Sequence, residues 1–153
     1  MPETRIDKEN YYLDIAATVL ERSTCLRRRY GAIIVKNDAI VSTGYNGAPR
    51  GRTNCIDRHE CLRDQLGIPS GERYELCRSV HAETNAIIAA SRENMLGATL
   101  YLVGYDRQGL IAAESCSMCR RQIINAGIHR VIARTAPDEY SVTRVKDWVA
   151  KED

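Results

Sequence analysis

The stretch ATLYLVGYDRQGLIAAESCSMCRRQIINAGIHRVIA, residues 98–133, decides the fold. It opens on the strand-like run "ATLYLVG", turns around Asp106-Arg107-Gln108-Gly109, and passes through "LIAAE" to two cysteines, Cys116 and Cys119. "SMCRRQIINAGI" reads as a helix closed near Gly127, since glycine readily takes the left-handed conformation that ends helices, and "HRVIA" reads as another strand. A strand, a helix and a strand in that order pair in parallel through a crossover, which predicts an α/β layer fold.

Working outward, "SVHAETNAIIAASRE" (79–93) places Ala82, Ala86, Ile87, Ala89 and Ala90 at helical spacing. Before it, "YGAIIVKNDAIVSTGYN" (30–46) shows two β-branched runs around Asn37-Asp38, the mark of an antiparallel hairpin. Leu13, Ala16, Ala17 and Leu20 predict a first helix over 7–23, and the tail over 140–151 reads as a short helix packing Val145, Trp148 and Val149. The order α-β-β-α-β-α-β-α predicts a single domain over 1–153. Residues 44–78 are rich in Gly, Pro, Arg and Cys, with turn signals at "NGAPRG" and "IPSGER". A loop that long in a compact domain is usually functional, and something must pin it.

Bulk properties narrow the function. A chain of 153 residues, 44% hydrophobic and 27% charged, can bury a proper core without disulfides. A net charge of +2 gives no reason to expect duplex nucleic acid, and nine aromatics, eight Tyr and one Trp, make a poor groove for single strands. The 18 Arg against 4 Lys hint at an anionic ligand, because a guanidinium grips phosphate through a planar fork. "MPETRIDKEN" lacks the apolar core of a secretory signal, and no apolar run reaches membrane-spanning length, so a cytoplasmic protein is expected. In a reducing compartment the six cysteines, Cys25, Cys55, Cys61, Cys77, Cys116 and Cys119, are read as metal ligands rather than disulfides.

A C-x-x-C pair serves redox chemistry, structural zinc or catalytic zinc, and "HAETNAII" chooses among them. A histidine followed two residues later by glutamate at one helix start, with C-x-x-C at a later helix start, is the signature of zinc nucleobase deaminases. One imidazole and two thiolates leave the metal's fourth position for water. Glu83 then carries protons from that water to the ring nitrogen and the departing ammonia. Two helical residues are turned by about 200°, so His81 and Glu83 share a site only by straddling the helix's first turn. Helix N-termini favour negative charge, which helps keep Cys116 and Cys119 as thiolates.

The stretches "STCLRRRYGAIIVKNDAIVSTGYNGAPRG", "GERYELCRSVHAETNAII", "GATLYLVG" and "CSMCRRQIINAGIHRVIA" together resemble the deoxycytidylate (dCMP) deaminases of the cytidine deaminase superfamily over most of residues 20–133. "GYNGAPRG" and the Asn of "HAETNA" favour this branch over tRNA adenosine deaminases. The resemblance implies a three-layer α/β/α fold with a central mixed five-stranded sheet, usually assembled as a hexamer. It implies hydrolysis of dCMP to dUMP and ammonia, feeding thymidylate synthesis, with activation by dCTP and inhibition by dTTP, each bound with Mg2+. Zinc would be held by His81, Cys116 and Cys119, with Glu83 as proton shuttle. Asn46 and Ala82 match substrate-binding positions, and Arg27 stands where relatives keep a phosphate-binding Arg, with Arg28, Arg29 and Arg50 as further candidates. Relatives carry Pro where this chain has Ser115, a residue suited to helix capping.

Cys25, Cys55, Cys61 and Cys77 remain, enough for a closed tetrahedral zinc site that would pin the 44–78 loop, with His59 able to replace one cysteine. Some relatives carry a second, structural zinc with cysteines where Cys25 and Cys55 stand; otherwise these are four separate reduced thiols. Two other functions fit the same residues: a deaminase of a modified or different nucleotide, and a non-catalytic zinc-stabilised nucleotide-binding module, against which Glu83 argues.

Overall fold

The computed structural model describes residues 3–151. Helix α1 (Lys8–Val19) begins at Asp7, whose carboxylate accepts the Asn10 N–H at 3.1 Å, and runs into a 3-10 turn at Leu20–Arg22. Strands β1 (Arg28–Lys36) and β2 (Ala39–Tyr45) meet at Asn37 and Asp38, with φ of 52° and 59°. Two positive φ values give the tight turn whose twist matches a hairpin. The 44–78 stretch contains only single turns, α2 (Cys55–Arg58), α3 (Leu62–Gln65) and a 3-10 turn at Tyr74–Leu76. Then come α4 (Ala82–Ile88), α5 (Arg92–Met95), β3 (Thr99–Asp106), β4 (Gly109–Ile111), α6 (Ser117–Ala126), β5 (Arg130–Ala136), β6 (Glu139–Arg144) and α7 (Val145–Ala150).

The sheet runs β2-β1-β3-β5-β6, and the short β4 adds a sixth strand against the end of β3. It is mixed: β3 pairs with β5 in parallel, as the crossover through α6 requires, while β1–β2, β1–β3 and β5–β6 are antiparallel. Side chains alternate across it. Ala32, Ile34, Leu100, Leu102, Val131 and Ala133 face a core shared with α4, α6 and α7, whereas Ile33, Val35, Tyr101, Val103 and Ile132 face Leu13 and Ala16 of α1. Helices on both faces make the expected three-layer α/β/α arrangement.

Two expected boundaries are corrected. The tail does not begin as a helix at Tyr140: Glu139–Arg144 pairs with β5 after a turn at Asp138 (φ 60°), and only Val145–Ala150 is helical. Val142 and Thr143 are β-branched, and a paired edge strand satisfies their backbone where an exposed helix end would not. The helix over 79–93 divides into α4 and α5, because the Ser91 hydroxyl accepts the Asn94 N–H at 3.2 Å and starts a new helix. Among the described residues, no helix is long and apolar enough to cross a membrane.

Gly44 sets how closely α4 lies on the sheet. A Cβ there would collide with the backbone of Ala82, Asn85 and Ala86. Backbone cannot step aside as a flexible side chain can, so Gly44→Ala is expected to cost about 2 kcal/mol. The measurement is a lower urea midpoint with an unchanged m value.

Candidate active site and metal centre

Two helix starts on one face of the sheet converge. Gly47 and Val80 exchange backbone hydrogen bonds of 3.1 and 2.7 Å, which fix the chain entering α4. His81 then caps α4 with extended backbone (φ −69°, ψ 154°), and Glu83 lies in the first turn. This is the straddled turn that the His-x-Glu spacing demands. Cys116 holds the same N-cap position on α6, and its Sγ, unlike the His81 side chain, accepts a helix N–H, that of Cys119, at 3.4 Å. The cap expected of Ser115 is thus made by Cys116, and Ser115 is itself buried.

His81 Nδ1 lies 3.5 Å from Cys116 Sγ and 3.4 Å from Cys119 Sγ. Zinc bond lengths and tetrahedral angles put nitrogen and sulfur donors about 3.6 Å apart, so both nitrogen–sulfur separations match edges of a zinc tetrahedron. Among the described residues this is the group of three or more His, Cys, Asp or Glu donors that lies within 4.8 Å. The electrostatics suit a cation. Hydrogen bonds from the Cys119 thiol and from His81 pull Cys116 well below the usual thiol range, while the resulting thiolate and burial push Cys119 up. Cys116 also holds the His81 imidazole above its usual value. A divalent cation removes the repulsion that otherwise prevents two thiolates from coexisting.

Glu83 is 4% exposed. Burial raises its carboxyl above the usual range, opposed by its own backbone N–H and by His81. A buried carboxyl whose hold on a proton is strengthened is suited to taking and returning protons. His81, Glu83 and Cys116 line one cleft.

The other expected residues divide. Arg27 and Arg28 line the cleft and also a neighbouring groove that includes Arg29. Arg27 is anchored by Asp64 at 3.2 Å and by the Ile68 carbonyl at 3.0 Å, leaving Nη1 buried without a partner. Arg50 is exposed and lies outside the cleft lining. Asn46 lines the cleft, but its Oδ1 accepts from Tyr30 N (2.8 Å) and Ser23 Oγ (2.6 Å), and its Nδ2 donates to Arg28 O (2.9 Å). It braces the segment carrying the arginines and keeps one amide N–H for a ligand. Ala82 is fully buried with its methyl in the core, so it reaches a ligand only through its backbone.

Cys25, Cys55, Cys61 and Cys77 are drawn to one region. Burial raises the Cys55 thiol first, and the other three raise it further. Ile56 N–H bonds to Thr24 O at 3.2 Å, tying Cys55 to the Cys25 segment, and Ser79 N–H donates to Cys77 Sγ at 3.4 Å. They are not gathered within ligand distance as His81, Cys116 and Cys119 are. His59 is exposed in a left-handed conformation (φ 56°) at the end of α2. Cys25 and Cys77 nonetheless line the cleft, together with Arg63 and Tyr74, which sequence reasoning missed. An aromatic in a Gly- and Pro-rich loop was the available signal for Tyr74; Arg63 had none among so many arginines.

The family model for the cytidine and deoxycytidylate deaminase zinc-binding region matches residues 6–135. The deoxycytidylate deaminase of Mycobacterium phage D29 is 37% identical over 134 residues, covering 84% of this chain and 95% of that protein. The deoxycytidylate deaminase of Schizosaccharomyces pombe is 32% identical over 128 residues, and there the match spans 84% of this chain but 37% of the longer yeast protein. Among solved structures, the dCMP deaminase of cyanophage S-TIM5 in complex with dCMP and dUMP superimposes with a TM-score of 0.59 at 26% identity, over 86% of this chain and 85% of that one.

Proposed function

The chain belongs to the cytidine and deoxycytidylate deaminase family, and from that premise we propose that it hydrolyses dCMP to dUMP and ammonia, with zinc held by His81, Cys116 and Cys119. The observation that carries this reading is the meeting, at one cleft, of three clustered donors and a buried carboxyl. When bound there, zinc supplies a water activated for attack near neutral pH. Glu83 takes one proton of the attacking water as its oxygen bonds to C4 and places it on the ring nitrogen, then takes the second proton from the C4 hydroxyl, which becomes the carbonyl, and delivers it to the amino group as the C4–N bond breaks and ammonia leaves. Arg28 and the unpartnered Nη1 of Arg27 are assigned to the 5′-phosphate.

The test is loss of cytosine absorbance with equal concentrations of dCMP, CMP, deoxycytidine and dCTP, with and without dCTP as activator. Turnover confined to dCMP supports the reading. Turnover of none of them by zinc-loaded protein would instead favour a modified nucleotide or a binding module. Arg28→Ala is expected to raise KM for dCMP tenfold or more, since a hydrogen bond to a charged group contributes about 1.5–3 kcal/mol. Any activity on deoxycytidine, which has no phosphate, should be unchanged.

The family resemblance extends the proposal to dCTP activation and dTTP inhibition with Mg2+, a hexamer, a cytoplasmic location and a role in supplying thymidylate synthesis. The family resemblance also extends the proposal to a second zinc on Cys25, Cys55, Cys61 and Cys77, which would require these thiols to draw closer together than they lie in this structure.

A further inference from the structure

Arg63 is 7% exposed, in a segment otherwise turned towards solvent. Its Nε donates to Glu72 O and its Nη2 to Pro69 O, both at 3.2 Å, and its guanidinium carbon lies 4.6 Å from the centre of the Tyr74 ring. Its partners are thus two carbonyls and an aromatic face. Burying a guanidinium costs free energy unless its donors are satisfied, and here they close the turn over 69–74 and support the ring at its end. The Tyr74 ring meets the His81 imidazole edge-on, with centres 4.9 Å apart and planes at 88°.

We propose that Tyr74 is the aromatic wall against which the substrate's pyrimidine packs, and that Arg63 is the positioning residue that holds this wall in place. The inference rests on the deaminase reading. A pyrimidine whose C4 is to react beside His81 must lie within about one ring's width of that imidazole, and Tyr74 is the aromatic side chain already in contact with it. The chain has no Phe, and its one Trp, Trp148, lies under Arg120 rather than in the cleft. Tyr30, the other cleft aromatic, takes a hydrogen bond on its hydroxyl from Arg28 at 3.4 Å, which associates it with the arginine-bearing part of the wall. Arg63 is suited to its part because one planar guanidinium can bond two carbonyls and still lie flat on a ring, which an ammonium cannot.

The experiment compares Tyr74→Ala, Tyr74→Phe, Arg63→Ala and Arg63→Lys, measuring kcat and KM for dCMP, zinc content, and the dissociation constant of dUMP by calorimetry. Loss of base–aromatic stacking costs about 1–3 kcal/mol, so Tyr74→Ala should raise KM and the dUMP dissociation constant by roughly 5- to 150-fold with zinc retained. Tyr74→Phe should match the wild type. Arg63→Ala should approach Tyr74→Ala, Arg63→Lys should fall between, and the double alanine variant should be no worse than Tyr74→Ala, because the two residues act as one unit. Zinc loss in Tyr74→Ala, or a fall in kcat at unchanged KM, would overturn the proposal and make the ring a support for His81 alone. An unchanged Arg63→Ala variant would overturn the role of Arg63. Wild-type turnover of dCMP reports separately on the deaminase reading, and the dUMP measurements test the wall even if that reading fails.

Discussion

Glu83→Gln is expected to lower kcat for dCMP by about a thousandfold or more while leaving zinc content at the wild-type level. A positioned acid–base group contributes about 10²–10⁴ in rate, and Glu83 is assigned several proton transfers in one turnover, which places the effect in the upper part of that range. The amide keeps the shape of the carboxyl but cannot carry a proton. Folding should tolerate the change, because Glu83 is 4% exposed and burial already disfavours its charged form. Zinc should stay because the carboxylate is not one of the three clustered donors, His81, Cys116 and Cys119. Initial rates and metal analysis on the same preparation decide the matter. Less than a tenfold loss would remove Glu83 from the proton path, and loss of zinc along with activity would make it a ligand instead.

The clustering of the candidate residues was legible because it is written in local rules. His-x-Glu works only at a helix start, and the structure puts His81 at the cap of α4 and Glu83 in its first turn. Asn37-Asp38 and Gly127 likewise announced their turns through residues that tolerate positive φ. What local rules did not reveal was set by distant partners. Tyr140 begins no helix because Asp138 turns the chain back onto β5. Asn46 was expected to face the nucleoside, yet Ser23, Tyr30 and Arg28 occupy most of its amide. Arg63 gains its place only from carbonyls of residues 69 and 72, a loop closure that no periodicity encodes.

That same loop carries the other large prediction. If Cys25, Cys55, Cys61 and Cys77 close on the proposed second zinc, Cys61→Ser is expected to lower zinc from two per chain towards one, to reduce the melting temperature by about 5–10 °C, and to raise KM for dCMP more than it lowers kcat. From 48 to 78 only Cys55 and Arg63 are buried, so apolar packing cannot hold the segment against the conformational entropy of 31 residues. A metal on four thiols would supply what packing does not, by closing a long loop at points far apart in the chain. Cys61 and Cys77 bracket Arg63 and Tyr74, and Cys25 and Cys77 themselves line the cleft. Releasing one ligand should therefore loosen the wall of the cleft while His81, Cys116, Cys119 and Glu83, seated on α4 and α6, keep their places. Hydrogen exchange should then speed up over 48–78 and remain slow in β1, β3 and β5, whose residues form both cores. One zinc per chain in the unmutated protein would sink the second site. The arginine and tyrosine of the wall would then be held by the carbonyl bonds of Arg63 alone, which would make Arg63→Ala the more damaging of the two substitutions.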